Sequence, residues 1–281
     1  MFQLAQKYGI LNENIERDGY GDMNYESFAI ECMHSKSGII PEKYTKIAGE
    51  IHTKICTKLQ NLFENSEPKC ISIEDFFQEN AKIEMDKISE KLSKNEIFMV
   101  ENALYGCFRN ILIGYTGDEI KYCNAYYFGS AQELPGGDLI LPQNILEIFY
   151  KEIPNLKQNL KLNHKVENIS WNESKIEILA NNQIFQADYC ICTFPPGVIQ
   201  KFHENLFTPK LPENKIEAYK SICPGAVAKY FIEWDKPWRP KNDSPIMIAW
   251  AKSDIKSMKL PEDWIRGIFE LSVEDPLGKF L

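Results

Sequence analysis

Apolar residues recur at three- and four-residue intervals through the first half of the chain, which predicts that this half is mostly helical. A short first helix is expected over residues 2–8, because Gly9 can end it in the left-handed conformation. The clearest repeat follows Pro41, a residue that suits the first turn of a helix. Its apolar positions are Ile47, Ile51, Ile55, Leu59 and Leu62.

Two polar pairs predict where the next helices begin. Ser72 stands three residues before Asp75, and Ser93 stands three residues before Glu96. This is the spacing of a capping box, in which each side chain bonds the backbone N–H of the other residue. The second pair precedes the run IFMVENALYGCFRNILI, which predicts a buried helix that ends at Gly114.

After Pro154 the hydrophobic pattern changes from a helical repeat to alternation, which predicts β-strands. Three strands are expected in KLNHKVENISW, KIEILA and NQIFQADYCICTF. Polar residues at 172–174 and 181–182 supply tight turns between them, so the three strands should form an antiparallel meander. A second β-rich region is expected later in the chain, in AVAKYFIEW, SPIMIAWA and RGIFELSV.

The third strand of the meander runs into an almost uncharged segment, 187–194, that is expected to continue it as a buried strand. The strand breaks at the sequence PPG, residues 195–197, and such a turn delivers backbone atoms to a fixed place. Cys190 and Cys192 lie two residues apart and would share one face of the strand. Core thiols are therefore favoured over metal ligands, and the chain has no C-x-x-C pair.

Composition and charge exclude some classes of function. Of the 281 residues, 44% are hydrophobic and 26% are charged, as in a globular protein. The net charge of −8 argues against nucleic-acid binding and is compatible with a cationic substrate. No apolar run approaches the roughly 20 residues of a membrane-spanning helix. The start MFQLAQKYGI lacks the features of a signal peptide, so an intracellular protein with reduced cysteines is expected.

The sequence contains no motif typical of a nucleotide-binding loop, a metal site or a catalytic triad. Gly19 and Gly21 form a G-x-G pair, but Asn24 stands where the third glycine of a dinucleotide fingerprint would fall. The sequence GGD at 136–138 is interpreted as a turn. The four histidines are scattered, without an H-E-x-x-H motif, and no serine lies in a G-x-S-x-G motif.

Lys229 interrupts the apolar run AVAKYFI and has two interpretations. The pattern favours a lysine on the solvent-facing side of an edge strand. The alternative is a buried or cleft-lining lysine, which needs a polar partner or water because an isolated buried charge is costly.

Four stretches of the chain, taken in order, form a recognisable arrangement. The two most specific are ADYCICTFPPGV and, further on, GAVAKYFIEW followed by PW; the others are FQLAQKYGIL near the start and WIRGIFELSVEDP near the end. On these segments the chain resembles the flavin-dependent amine oxidase family, and within it the polyamine and spermine oxidase branch. The resemblance extends over most of the 281 residues.

The resemblance implies four site residues. Val166 matches a family valine whose backbone holds the adenine end of FAD. Thr193 and Pro195 match a T-x-P corner that approaches the cofactor, so the strand and its turn would deliver backbone against a flavin nucleotide. Lys229 matches the family lysine that holds a water beside the flavin N5, and it is the residue implied to be catalytic.

The resemblance also implies a two-domain α/β (α+β) fold whose domains are discontinuous along the chain. Residues 1–145 would form the helical part of the substrate domain, 146–198 a helix and β-meander of the FAD-binding domain, and 199–281 the sheet part of the substrate domain. The implied reaction oxidises an amine, a polyamine or an acetylpolyamine. Hydride passes from the carbon next to nitrogen to the flavin, the imine hydrolyses, and oxygen reoxidises the flavin to give hydrogen peroxide. The implied partners are the small-molecule amine and oxygen.

The chain departs from the family pattern at its front and its back. It contains neither the G-x-G-x-x-G strand-turn-helix nor the later flavin-binding segment. We therefore expect a central fragment of an amine oxidase, cytoplasmic or peroxisomal, that alone retains no FAD and is inactive. The alternatives are a catalytically inactive paralogue that acts as a binding or scaffold protein, and a histone-demethylase-like amine oxidase. The second is disfavoured because the chain has no long paired-helix insertion.

Overall fold

A computed structural model of the chain describes residues 2–10, 31–36, 38–131, 144–222, 224–230, 232, 246–250, 268 and 270–271. These residues belong to two compact units: the first unit comprises Met1–Pro142 and Ala226–Leu281, and the second unit is Gln143–Gly225. The glycine sequences predicted as turns, 19–21 and 136–138, lie outside the described residues, as does most of the last predicted strand.

Helices make up most of the regular structure in the described part of the first unit, as the sequence predicts. The α-helices of the described residues are α1 (Phe2–Lys7), α2 (Glu42–Asn65), α3 (Ile73–Ser89), α4 (Lys94–Ala103), α5 (Arg109–Thr116), α6 (Leu146–Glu152), α7 (Leu156–Asn159), α8 (Pro196–Leu206) and α9 (Glu213–Ser221). A π-helical turn, Leu104–Phe108, joins α4 to α5, and a 3-10 helix covers Tyr126–Ser130.

The described strands form one four-stranded sheet in each unit. They are β1 (Glu31–His34), β2 (Gly38–Ile39), β3 (Val166–Trp171), β4 (Ile176–Ala180), β5 (Gln183–Ala187), β6 (Phe207–Thr208), β7 (Ile246–Ala249) and β8 (Glu270–Leu271). The order is β2-β1-β7-β8 in the first unit and β5-β4-β3-β6 in the second unit. Both sheets are mixed, because β1 pairs with β7, and β3 with β6, in parallel.

The predicted helix starts are confirmed. The Ser72 hydroxyl accepts a hydrogen bond from the backbone N–H of Asp75 at 3.0 Å and so caps α3. Ser93 and Glu96 form a complete capping box at the start of α4, in which the Ser93 backbone N–H donates to Glu96 Oε2 at 3.0 Å. The hydrogen bonds from the Ser93 backbone and side chain, with one from Lys43, lower the pKa of Glu96 to about 2.

The prediction that the apolar helix ends at Gly114 is wrong. The helical run continues through Gly114 to Thr116, and Gly117 ends it with a φ of 67°. A glycine inside a helix costs only about 1 kcal/mol relative to alanine, and the packing of the surrounding side chains offsets that cost. Gly117 is the glycine that adopts the left-handed conformation of a helix C-terminus.

The core of the first unit forms around the apolar face of α2. Ile51, Ile55 and Leu59 are buried at the predicted helical spacing, and they belong to one cluster with residues of α3, α4, the π-helical turn and β7. The backbone approaches closely at Gly106 in the π-helical turn, where a Cβ would stand 2.6 Å from the Cβ of Ala249 in β7. The helical layer and the sheet therefore meet across a glycine.

The second unit contains the predicted meander. Strands β3, β4 and β5 pair antiparallel in sequence order, which confirms that prediction. Asn181 and Asn182 form the two-residue turn between β4 and β5, with φ values of 48° and 59°. Positive φ at both positions is typical of a type I′ turn, for which asparagine is well suited. A small core of Ile169, Ile199, Leu206 and Phe207 packs the sheet against α8.

Candidate functional site

Val166, which the resemblance implies would hold the adenine end of FAD, is the first residue of β3. It is half-buried and packs against the small core of the second unit. It pairs with Ala180 of β4, and the register shifts between Val166 and Asn168. A register shift frees one backbone position from the ladder, so this end of β3 can offer backbone atoms to a ligand.

The prediction of a buried strand over 187–194 is wrong. Strand β5 ends at Ala187, and residues 188–195 adopt no regular structure. Ala187 pairs with Ile176, which is the first residue of β4, so the neighbouring strand ends where this segment begins. Because a strand needs a partner for its N–H and C=O groups, the segment cannot continue the sheet. Tyr189 and Ile191 remain in solvent, 90% and 89% exposed, whereas Cys190 and Phe194 are half-buried against the small core of the second unit.

The predicted T-x-P corner leads into α8. Thr193 and Pro195 are both exposed, and Pro195 precedes the first helical residue, Pro196. Proline suits the first helical position, which Pro196 occupies, because its fixed φ and missing N–H match a helix start. Nothing lies within 4 Å of the place where a Cβ on Gly197 would stand, so the space beside the first turn of α8 is open. The corner is accessible to a bound group.

Lys229 lies in the first unit, in the segment Ala226–Tyr230, where the sequence predicts a strand. The structure assigns no strand to this segment, so that prediction is wrong for 226–230. The backbone N–H of Ala226, the first residue of the segment, donates to the carbonyl oxygen of Gly117 at 2.7 Å. The Lys229 side chain is exposed, and so are Val227 and Tyr230, which are 59% and 66% exposed.

The structure brings three of the four predicted site residues into one unit. Val166, Thr193 and Pro195 belong to the second unit, where Val166 and Phe194 pack on the same small core. They lie at the end of β3 and in the turn before α8, where the resemblance implies one edge of a nucleotide site. They offer no glycine-rich cradle for a pyrophosphate, because the 281 residues contain no G-x-G-x-x-G sequence.

A cavity of about 240 Å³ that the sequence analysis did not anticipate lies at the other end of β3. It is lined by Trp171, by the turn that follows Trp171, and by Thr208 of the parallel strand β6 together with the next residue, Pro209. Lys175 and Glu177 form an ion pair of 2.8 Å at its margin. Val166 and Trp171 are the first and last residues of β3, so this cavity is separate from the predicted adenine edge.

Two other kinds of site are not found among the described residues. No group of three or more His, Cys, Asp or Glu side chains there could hold a metal ion. Within the same part of the chain, no helix is both long and apolar enough to cross a membrane.

Comparison with known proteins identifies the class of protein. Residues 1–266 match the family described as flavin containing amine oxidoreductase. Since the match covers most of the chain, the chain belongs to this family, and its helices and mixed sheets agree with the family's α/β fold.

Individual relatives include enzymes of the polyamine oxidase branch. The chain is 24% identical to the bovine (Bos taurus) "Peroxisomal N(1)-acetyl-spermine/spermidine oxidase", over 98% of this chain and 57% of the relative. It is 26% identical to the Arabidopsis thaliana "Probable polyamine oxidase 5", over 59% of this chain and 32% of the relative. It is also 26% identical to the Caenorhabditis elegans "Lysine-specific histone demethylase 1", over 44% and 18%. The chain therefore spans about half, or less, of the length of the relatives it matches.

Proposed function

We propose that a polypeptide containing this chain oxidises a polyamine or an acetylpolyamine with FAD and oxygen. The observation that carries the proposal is the family match over residues 1–266. The substrate class draws on the name of the bovine relative, which aligns with nearly the whole chain. The net charge of −8 adds support, because an acidic protein attracts a polycation. Of the two expected locations, the peroxisomal one accords with the same relative's name.

The two units would have different tasks, FAD binding in the second unit and substrate binding in the first. The second unit contains the predicted FAD-binding segment, 146–198, and continues through α8 and α9 to Gly225. The first unit contains 1–142 and 226–281, which would provide the substrate domain. FAD would accept the hydride from the carbon next to the amine nitrogen, which is chemistry the cofactor supplies. The backbone of Val166 would hold the adenine end, and Thr193 with Pro195 would set the position of the nucleotide edge.

Lys229 is proposed to hold a water beside the reacting end of the flavin. The Lys229 side chain is exposed in the structure, so this role requires the segment 226–230 to become covered. The lysine would then hold and orient a water at close range rather than act as a solvated charge.

The assay that tests the substrate class measures hydrogen peroxide release from a longer polypeptide that contains this chain and binds FAD. We expect turnover of spermine, spermidine or their acetyl forms to exceed that of benzylamine and tyramine. Faster turnover of the aromatic amines would overturn the substrate class. The 281-residue chain alone is the control, and it is expected to show no flavin absorption and to release no peroxide, since it lacks the glycine-rich turn that binds a pyrophosphate.

Substitution of Lys229 by methionine tests its role in the same FAD-loaded polypeptide. Lys229→Met should lower turnover by about tenfold or more, about 1.4 kcal/mol of barrier, while folding changes little because methionine has a similar shape. Stopped-flow measurement of flavin reduction and reoxidation locates the loss. The matched control is Lys220→Met, in α9, which should leave both rates unchanged. If Lys229→Met leaves both the reduction rate and the reoxidation rate of the flavin unchanged, Lys229 is a solvated surface lysine without a role in turnover.

A second candidate function is a non-catalytic binding protein. The observation that favours it is the exposure of Thr193, Pro195 and Lys229 to solvent in the described residues. The two candidates differ in flavin content: the enzyme requires bound FAD in the complete polypeptide, and the binding protein does not.

A further inference from the structure

The thiols of Cys190 and Cys192 lie beside each other in the segment 188–195. Their sulfur atoms are 3.9 Å apart. Cys190 rests against the small core of the second unit and is half-buried, whereas Cys192 is exposed. The interpretation of both residues as core thiols is therefore wrong for Cys192, because the strand that would have buried it does not form.

The spacing of the two sulfur atoms suits one metal ion. A tetrahedral ion with metal–sulfur distances of about 2.3 Å places two thiolates about 3.8 Å apart. The observed 3.9 Å needs almost no adjustment. The segment also carries no strand hydrogen bonds that would resist a small movement. We propose that Cys190 and Cys192 form a bidentate dithiolate site for a thiophilic divalent cation of the Zn²⁺ and Cd²⁺ class.

The site would be open and exchangeable. Among the described residues, no third histidine, cysteine or carboxylate joins the pair to make a closed metal centre. Water or a small ligand would fill the other positions, unlike the four protein ligands of a structural zinc site. An ion that is held by two thiolates on an accessible segment can be taken up and released without unfolding of the second unit.

Binding is expected to depend on pH. Partial burial, with the hydrogen-bonding thiol of Cys190, raises the pKa of Cys192. A thiol must lose its proton to bind the ion, so binding releases protons and becomes tighter as the pH rises.

Titration of the reduced 281-residue chain with Cd²⁺ tests the site. The sulfur-to-cadmium charge-transfer band in the ultraviolet should saturate at one equivalent for this site. Cys190→Ser and Cys192→Ser should each weaken binding by about tenfold or more, because the second thiolate of a chelate binds at high effective concentration. Cys70→Ser is the matched control, since Cys70 is an exposed cysteine of the first unit, and it should bind as the wild type does.

Each other outcome overturns the proposal. If the wild type shows no band, or if both substitutions leave the band unchanged, the pair does not bind the ion. If only one of the two substitutions removes it, a single thiolate binds with other ligands. Circular dichroism should be the same for all variants, because neither cysteine lies in a helix or strand. The titration requires no flavin, so its result is independent of the proposed oxidase function.

Discussion

Acidification from pH 7 to pH 5 is expected to lower the free energy of unfolding of the first unit by about 2 kcal/mol through one residue, His52. The imidazole is fully buried in the core, with its ring centroid 5.3 Å from that of Phe108 and 6.5 Å from that of Phe77. This burial lowers the pKa of His52 from 6.5 to about 3. The unfolded chain binds a proton below pH 6.5, but the folded chain does not until about pH 3. Stability is therefore complete above pH 6.5 and is lost progressively as the pH falls toward 3.

Urea unfolding at pH 7 and pH 5, followed by the helical circular dichroism signal, measures this loss. His52→Leu removes the titrating group and should abolish the loss between these two values of pH. His203→Leu, in α8 of the second unit, controls for removal of a histidine and should behave as the wild type does. Glu74, Glu84 and Glu96 have lowered pKa values and add their own losses below about pH 4.5. Equal losses in the wild type and in His52→Leu would contradict the prediction.

Gly129→Ala is expected to destabilise the first unit by about 3 kcal/mol, because the new methyl group has no room. A Cβ at this position would clash with the backbone carbonyl oxygen of Gln60 in α2, and it would stand 2.8 Å from the carbonyl carbon and 3.0 Å from the Cα of that residue. Backbone atoms in the middle of a helix cannot move aside as the end of a flexible side chain can. The 3-10 helix would have to separate from α2.

The same substitution at Gly197 provides the control. Nothing lies within 4 Å of a Cβ there, and Gly197 stands in the first turn of α8. Gly197→Ala should therefore leave stability unchanged or raise it by about 0.5 kcal/mol, since alanine has less conformational freedom in the unfolded chain. Thermal unfolding of the two variants beside the wild type decides the matter. A midpoint for Gly129→Ala within a degree of the wild type would show that the two helices separate at no cost.

The helical half of the fold could be predicted because its signals are local. The hydroxyl of Ser93 and the carboxylate of Glu96 satisfy each other's backbone donors within one turn, so four residues suffice to mark the start of α4. The end of the same helical run was less predictable. Gly114 and Gly117 are both suited to end a helix, and only the packing of the neighbouring turns decides between them.

The strands divide according to how far away their partners are. The meander could be predicted because Asn181 and Asn182 join β4 to β5 directly. The segment 188–195 has equally favourable residues for a strand. However, the antiparallel neighbour β4 begins at Ile176, opposite Ala187, so no strand among the described residues lies beside the segment to accept its backbone hydrogen bonds. The candidate site depends on both effects. The role proposed for Val166 rests on the family resemblance alone, whereas the exposure of Lys229 depends on tertiary contacts that no local sequence pattern contains.

The pairing of β1 with β7 has a consequence for how the chain folds. Glu31 lies opposite Ile246, so the sheet of the first unit joins residues more than two hundred positions apart, whereas the second unit is continuous in sequence. Closing so long a loop costs entropy before any strand contact repays it, which slows folding. During synthesis, the meander of the second unit is translated and can form before β7, the partner of β1, has been translated. The edge of β1 that pairs with β7 must remain unpaired throughout that interval, so misfolding and chaperone binding are expected to begin at β1 rather than at the meander.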